Sequence, residues 1–249
     1  MSLSELPGTT SATATAPRGI LVITGTGTDI GKTVVTAAVA ALARARGAAV
    51  AVVKPAQTGV HRGPGSDVPD VQEVERLAGV TDTHELARFP DPLSPEAAAR
   101  VSGLPPVDLA EAAEYIAKLA GSRDLVLVEG AGGLLVRYNA AGATLADLAA
   151  MCGAPVLLVT AAGLGTLNNT ALTCEALATR GLDRAGVVIG SWPREPGLAE
   201  RQNLSDLETL TGGPLAGVLP AGSGGLSRDE FRAVALAGLS PRLGGNRRS

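Results

Sequence analysis

Apolar and polar positions along the chain follow two alternating rhythms. Short unbroken apolar runs occur at Ile20-Leu21-Val22-Ile23, Val50 to Val53, Leu125 to Val128, Val156 to Val159, Val187 to Ile189 and Leu215 to Val218. They have the length and β-branched content of strands buried on both faces. Between them lie longer stretches of helical character: Lys32 to Arg46 (rich in alanine and stopped by Gly47), Asp70 to Ala78, Val107 to Leu119, and segments near 167–180, 197–211 and 227–238. Residues 61–69 read as a polar loop, and prolines at 90, 92, 95, 105 and 106 leave room for only a short helix between 83 and 106. Continuous apolar strands interleaved with helices predict a single doubly wound α/β domain, its mostly parallel sheet covered by helices on both faces. The domain is expected over residues 18–240, with 1–17 and 241–249 as flexible tails.

Composition narrows the partners. Of 249 residues 45% are hydrophobic but only 2% aromatic, so the core must be built from Ala, Val, Leu and Ile. A net charge of -3 and the lack of a basic stripe give no electrostatic case for nucleic acid. No apolar run reaches the roughly 18 residues of a membrane span. Met1 to Pro17 has neither a basic nor an apolar signal region, so a cytoplasmic protein is expected. Cys152 and Cys174 fit neither a disulfide framework nor a zinc pattern and read as small buried hydrophobes. His61 and His84 stand apart from any Ser or Cys partner and read as surface or structural. Of 21 basic residues, only Lys32, Lys54 and Lys118 are lysine. In so arginine-rich a chain, each lysine raises the question of whether a compact ammonium is needed there.

Ligands of open parallel sheets sit beyond the carboxyl ends of the strands. Three such ends carry chemistry here. After the first strand comes Gly25-Thr26-Gly27-Thr28-Asp29-Ile30-Gly31-Lys32-Thr33, a glycine-rich loop opening a helix. Its backbone N–H groups suit a phosphate, with Lys32 on the β- and γ-phosphates and the Thr33 hydroxyl on Mg²⁺. Five residues, rather than the usual four, separate Gly25 from Gly31, and Thr26 holds the strict glycine position. Glu129, at a strand end before glycines, is the best carboxylate for the metal. Asp70 is a second candidate but would serve equally as a helix cap, and Asp67 lies three residues earlier. Lys54 closes the second strand beside the nucleotide loop, and the Thr58 hydroxyl follows it.

Gly25 to Thr33, Lys54-Pro55-Ala56-Gln57-Thr58-Gly59, Glu129-Gly130-Ala131-Gly132-Gly133 and Gly165-Thr166-Leu167-Asn168, in this order, resemble the dethiobiotin synthetases. Members of that family share the extra residue in the phosphate loop, and the likeness runs from about Gly19 to Ala237. The resemblance implies a P-loop NTPase fold and closure of a cyclic urea. Diaminopelargonic acid takes up CO₂ as a carbamate, a nucleoside triphosphate phosphorylates it, and the second amine displaces phosphate. It implies Mg²⁺ on Thr33, Asp70 and Glu129, with Lys54 and Lys32 catalytic. The nucleotide would be bound by Thr28, Asp29, Ile30, Gly31, Lys32, Thr33, Val34, Asp70, Glu129, Gly130, Ala131, Gly132, Gly190, Ser191, Pro220, Ala221 and Gly222. The diamine would meet Lys54 and Thr58, and its carboxylate Gly165, Thr166, Leu167 and Asn168, supplied by the neighbouring subunit of a homodimer. One departure concerns the base: many members carry an adenine-reading Asn where this chain has Gly190. The choice between ATP and another triphosphate therefore falls to backbone groups, Ser191 or Pro220 to Gly222.

Three other readings compete. A nucleotide-switch ATPase of the chromosome-partitioning type would carry another lysine early in the phosphate loop, where Thr26 and Gly27 stand. Its membrane-targeting form would need a basic amphipathic C-terminal helix, which Pro241 and the glycines after it oppose. A glutamine amidotransferase would need a glutaminase domain that does not fit in this length. A non-catalytic binding module would leave the grouping of Lys32, Lys54 and Glu129 unexplained.

Overall fold

The computed structural model describes residues 16–60 and 67–248. Strands β1 (Gly19–Gly25), β2 (Val50–Lys54), β3 (Thr83–Glu85), β4 (Leu125–Gly133), β5 (Val156–Thr160), β6 (Arg184–Trp192) and β7 (Gly217–Pro220) form one parallel sheet, ordered β3-β2-β4-β1-β5-β6-β7. The helices are α1 (Lys32–Ala45), α2 (Asp70–Ala78), α3 (Pro95–Ser102), α4 (Leu109–Ala120), α5 (Leu145–Met151), α6 (Thr166–Thr179), α7 (Leu198–Thr211) and α8 (Arg228–Gly238). Strand order reverses around β1, whose neighbours are β4 and β5. The phosphate loop therefore leaves the sheet at its switch point, where such folds open a crevice.

The strands are apolar throughout because both faces are covered. Leu21, Ile23, Val52, Leu125, Leu127 and Leu157 point to the side of α1, α2 and α8, while Val22, Ala51, Val53, Val126 and Val128 point to α3, α4 and α5. A third cluster, with Leu158, Val187 and Ile189, packs on Leu207 of α7. Alanines fill much of α1: Ala37, Ala38, Ala40, Ala41 and Ala43 are all buried, which lets that helix lie close to the sheet. The doubly wound expectation holds, and Gly47 stands in the left-handed conformation just past α1.

Local differences have physical causes. β3 was not anticipated, because three residues reading Thr-His-Glu give no apolar signal, and pairing with Val52, Val53 and Lys54 makes the strand. α5 is fixed by a Thr144–Asp147 capping box rather than by an evident apolar stripe. Residues 241–248, expected to trail free, lie against the domain. Leu243 is buried, and the amides of Asn246 and Arg247 donate to the carbonyls of Leu236 and Leu239 at 2.8 and 2.9 Å. Two glycines and repeated arginines hide that single apolar anchor in the sequence. His84 is structural: its ring sits between Asp82 (2.8 Å) and the Tyr115 hydroxyl (2.8 Å). Both cysteines are partly rather than fully buried. His61 lies outside the described residues.

One contact of the sheet sets the position of the phosphate loop. Gly31, at φ 92°, lies against Gly190 of β6, and a Cβ on Gly31 would stand 2.5 Å from the Gly190 carbonyl oxygen. In the other direction, a Cβ on Gly190 would stand 2.2 Å from the Ile30 carbonyl oxygen. Both obstacles are backbone and cannot rotate away. Gly190→Ala should therefore shift the loop, cost about 1–3 kcal/mol of stability as overpacking does, and weaken triphosphate binding. Thermal unfolding and a nucleotide titration check this; wild-type affinity in the variant would refute it.

Candidate active site

Beyond Gly25, residues 26–31 turn across the end of the sheet with Asp29 and Gly31 at positive φ. No side chain caps α1, so its first amides keep donors for an anion. Lys32 is 8% exposed and its Nζ donates to the Gly27 carbonyl at 2.7 Å. Burial first, and the positive charge of Lys54 second, depress the Lys32 ammonium below its ordinary range. Among the described residues it forms no ion pair with a carboxylate. The loop is thus a cradle whose cation is in direct contact with a carbonyl oxygen and feels Glu129, Asp70 and Asp29 only from a distance.

β2 and β4 are adjacent, so their ends bring Lys54 and Glu129 together. Lys54, 3% exposed, places Nζ 2.9 Å from Glu129 Oε1, 3.1 Å from the Gly130 carbonyl oxygen and in an ion pair with Asp70. Burial alone would lower the Lys54 ammonium, but Glu129 and Asp70 together outweigh it and hold the group firmly protonated. For Asp70, burial would raise the carboxyl, and Lys54 more than reverses it. Thr33 Oγ1 donates to the same Glu129 Oε1 at 2.9 Å. A hydroxyl and two carboxylates already holding a cation make an oxygen donor set that fits Mg²⁺, an ion that completes its shell with phosphate and water. No cluster of three or more His, Cys, Asp or Glu residues with metal-binding geometry exists among the described residues.

These groups open into a cavity of about 880 Å³, which also takes in Thr28, Asp29, Val34, Thr58, Asp67, Ser94, Ala131 and Gly132. The first residues of α1, α2 and α3 all border it, and three helix N-termini favour negative charge in one space. Gln57 is a residue that sequence reasoning passed over. It is 5% exposed, its Oε1 accepts from the Asp70 amide at 3.0 Å and its Nε2 donates to the Thr58 carbonyl. A polar residue three positions after the strand-ending Lys54 was the available signal. Tyr138 was missed too: its buried hydroxyl accepts from the Ala131 amide at 3.0 Å beneath the Glu129 strand end. Nothing near it in the sequence marks that role.

The remaining candidates lie apart from this cavity. Gly190 abuts the phosphate loop, with Ser191 next to it on β6, and the Ala221 amide donates to the Trp192 carbonyl at 2.7 Å. Pro220, Ala221 and Gly222 are exposed at the end of β7. Gly190 itself offers only main chain. At the start of α6, Gly165 is the uncapped N-terminal residue and Leu167 and Asn168 follow, yet Thr166 turns inward. The Thr166 hydroxyl lies 2.6 Å from Thr160 Oγ1 and donates to the Ala161 carbonyl. In a single chain, residues 165–168 do not line the cavity.

Comparison with known proteins agrees with this geometry. A family model described as an AAA domain matches residues 19–223. The chain is 69% identical over 229 residues to an ATP-dependent dethiobiotin synthetase BioD of Frankia casuarinae, covering 92% of this chain and 95% of that protein. It is 60% identical to the protein of that name from Streptomyces coelicolor, covering 91% and 94%. Among solved structures, the septum site-determining protein MinD of Pyrococcus horikoshii, complexed with Mg-ADP, matches at TM-score 0.53 and 20% identity, covering 86% of this chain and 89% of that one. A ParA family ATPase of Chlorobium tepidum matches at TM-score 0.51 and 13% identity, covering 92% and 96%. Those two likenesses show the P-loop NTPase fold. With the lysine, carboxylate and threonine of its strand ends set as described, and with relatives this close over nearly its whole length, the chain belongs to the ATP-dependent dethiobiotin synthetase family.

Proposed function

We propose that the protein closes the ureido ring of dethiobiotin from 7,8-diaminopelargonic acid and CO₂ at the expense of a nucleoside triphosphate, a step in biotin biosynthesis. The observation that carries this reading is Lys54, a buried ammonium at the end of a strand, between Asp70 and Glu129 and beside the phosphate loop. One amine of the substrate adds to CO₂ and loses a proton, giving a carbamate. A carbamate oxygen takes the γ-phosphoryl group with release of the nucleoside diphosphate. The second amine attacks the carbamoyl carbon and gives up a proton, the C–O bond to phosphate breaks, and phosphate leaves with the ring closed.

Each anion needs an offset to the repulsion between carbamate and triphosphate. Lys32 and the first amides of α1 hold the phosphates, and Lys54 holds carbamate and phosphoryl oxygens. Mg²⁺, when bound by Thr33, Asp70 and Glu129, supplies further charge neutralisation. Thr58 lines the same cavity and contributes a hydroxyl to the diamine.

The carboxylate tail of the substrate has its site at the α6 N-terminus of a second subunit. Two features support a homodimer: residues 165–168 do not line the cavity of their own chain, and the neighbouring apolar side chains Leu164, Leu172 and Leu198 are 91, 57 and 70% exposed. The base is read by main chain near Gly190, by Ser191 or by Pro220 to Gly222. No helix among the described residues is long and apolar enough to cross a membrane, and we place the reaction in the cytoplasm.

Phosphate release with ATP, CTP, GTP and UTP in parallel tests the reaction. Release should require diaminopelargonic acid, bicarbonate and Mg²⁺ together, and slow release indifferent to the diamine would overturn it. Lys54→Ala should lower kcat at least about 100-fold while largely sparing nucleotide affinity. Because it strips two carboxylates of their cation, Lys54→Arg serves as the folded control and should also be inactive. Lys32→Ala should instead weaken triphosphate binding and turnover together. Near-normal turnover in either lysine variant would sink its assignment.

A further inference from the structure

A second cavity, of about 660 Å³, opens at the amino ends of β6 and β7. It lies far from the site above. β6 runs from Arg184 at this cavity to Gly190 at the phosphate loop, a strand length of about 20 Å. The volume falls within the roughly 300–1,000 Å³ of small-molecule pockets.

Its lining is unusual for a chain of net charge -3. Arg184, Arg242, Arg247 and Arg248 all border it, with no acidic residue among the lining side chains. None of the four makes an ion pair among the described residues. Two are held in place through backbone. Arg184 donates to the Thr211 carbonyl and from Nη1 to Cys174 Sγ at 3.1 Å, and Arg247 Nη1 donates to the Leu215 carbonyl at 3.3 Å. Among the described residues, Arg242 and Arg248 make no side-chain hydrogen bond to protein. Glu208, whose segment leads into the cavity, turns its carboxylate onto the Leu215 amide at 3.1 Å instead. The Ser240 hydroxyl on the wall is buried and has no hydrogen-bond partner among the described residues. Pro214 and Pro241 add apolar surface beside the guanidiniums.

Guanidiniums bordering one concave space without ion pairs repel one another until an anion joins them, and the donors that Arg242 and Arg248 do not spend on protein match phosphate oxygens two at a time. We propose that this cavity is a binding site for a small phosphorylated ligand, a pyrophosphate or phosphate ester carrying more than one negative charge. More than two guanidiniums around one pocket exceed what a single carboxylate would neutralise. The packed segment 241–248 supplies Pro241, Arg242, Arg247 and Arg248 to the wall, which gives that segment a role beyond burying Leu243.

Calorimetric titration of inorganic pyrophosphate into the full chain tests this. The phosphate loop is first saturated with Mg²⁺ and a non-hydrolysable ATP analogue, so that heat reports a second site. One further equivalent should bind, with citrate in a parallel titration binding more weakly. Arg184→Gln/Arg247→Gln should weaken pyrophosphate at least about tenfold while leaving the analogue's affinity unchanged. Because those two side chains also anchor backbone, Arg242→Gln/Arg248→Gln provides a pair whose removal does not touch the fold, and it too should weaken binding. Absence of saturable binding, citrate binding as tightly as pyrophosphate, or wild-type affinity in both pairs would each overturn the proposal. These results do not depend on turnover, so they stand or fall apart from the ring-closing reaction.

Discussion

A positive charge with almost no access to water organises this protein. The Lys54 ammonium is tolerable only because Glu129 and Asp70 meet it, and each carboxylate is tolerable only because the ammonium is there. The sheet order follows from the same requirement. β2 and β4 must be neighbours for their ends to share the charge, and α2 must start where Asp70 can reach it. Gln57 ties the two halves by holding the Asp70 amide from the segment after β2. The core is built mainly from aliphatic residues, and the buried charged side chains among the described residues, Lys32, Lys54 and Glu129, share one rim.

That concentration gives the rim a graded electrostatic character. Lys54 pairs directly with two carboxylates, whereas Lys32 donates only to a carbonyl oxygen, feels Glu129, Asp70 and Asp29 from a distance and sits under the repulsion of its fellow lysine. Three helix N-termini border the same space. The two ammoniums of one rim thus differ in kind, one held by a carbonyl oxygen and the other locked between two carboxylates.

Much of this was legible from residue order alone. Unbroken apolar runs announced a sheet covered on both faces, and the positions of Lys32, Lys54 and Glu129 at three run ends announced one shared rim. What stayed hidden was whatever depended on a partner distant in sequence. β3 is a strand only because β2 lies beside it, and the segment after Ser240 packs only because Leu243 finds a buried seat. Thr166 illustrates the limit within a motif: its place at a helix start suggested a ligand contact, whereas the hydroxyls of Thr160 and Thr170 belong to an inward-facing cluster that claims it. No local pattern records which way a threonine turns.

The facing pair Gly31 and Gly190 carries a consequence for how such a protein can diverge. Their separation in sequence is large, yet each occupies the only space the other leaves, so neither position can explore side chains while the backbone stays as it is. A side chain at 190 would require the Ile30–Gly31 turn to stand further from β6. Any recognition through that position and the path of the phosphate loop must therefore change together, a coupling between two segments far apart in the chain.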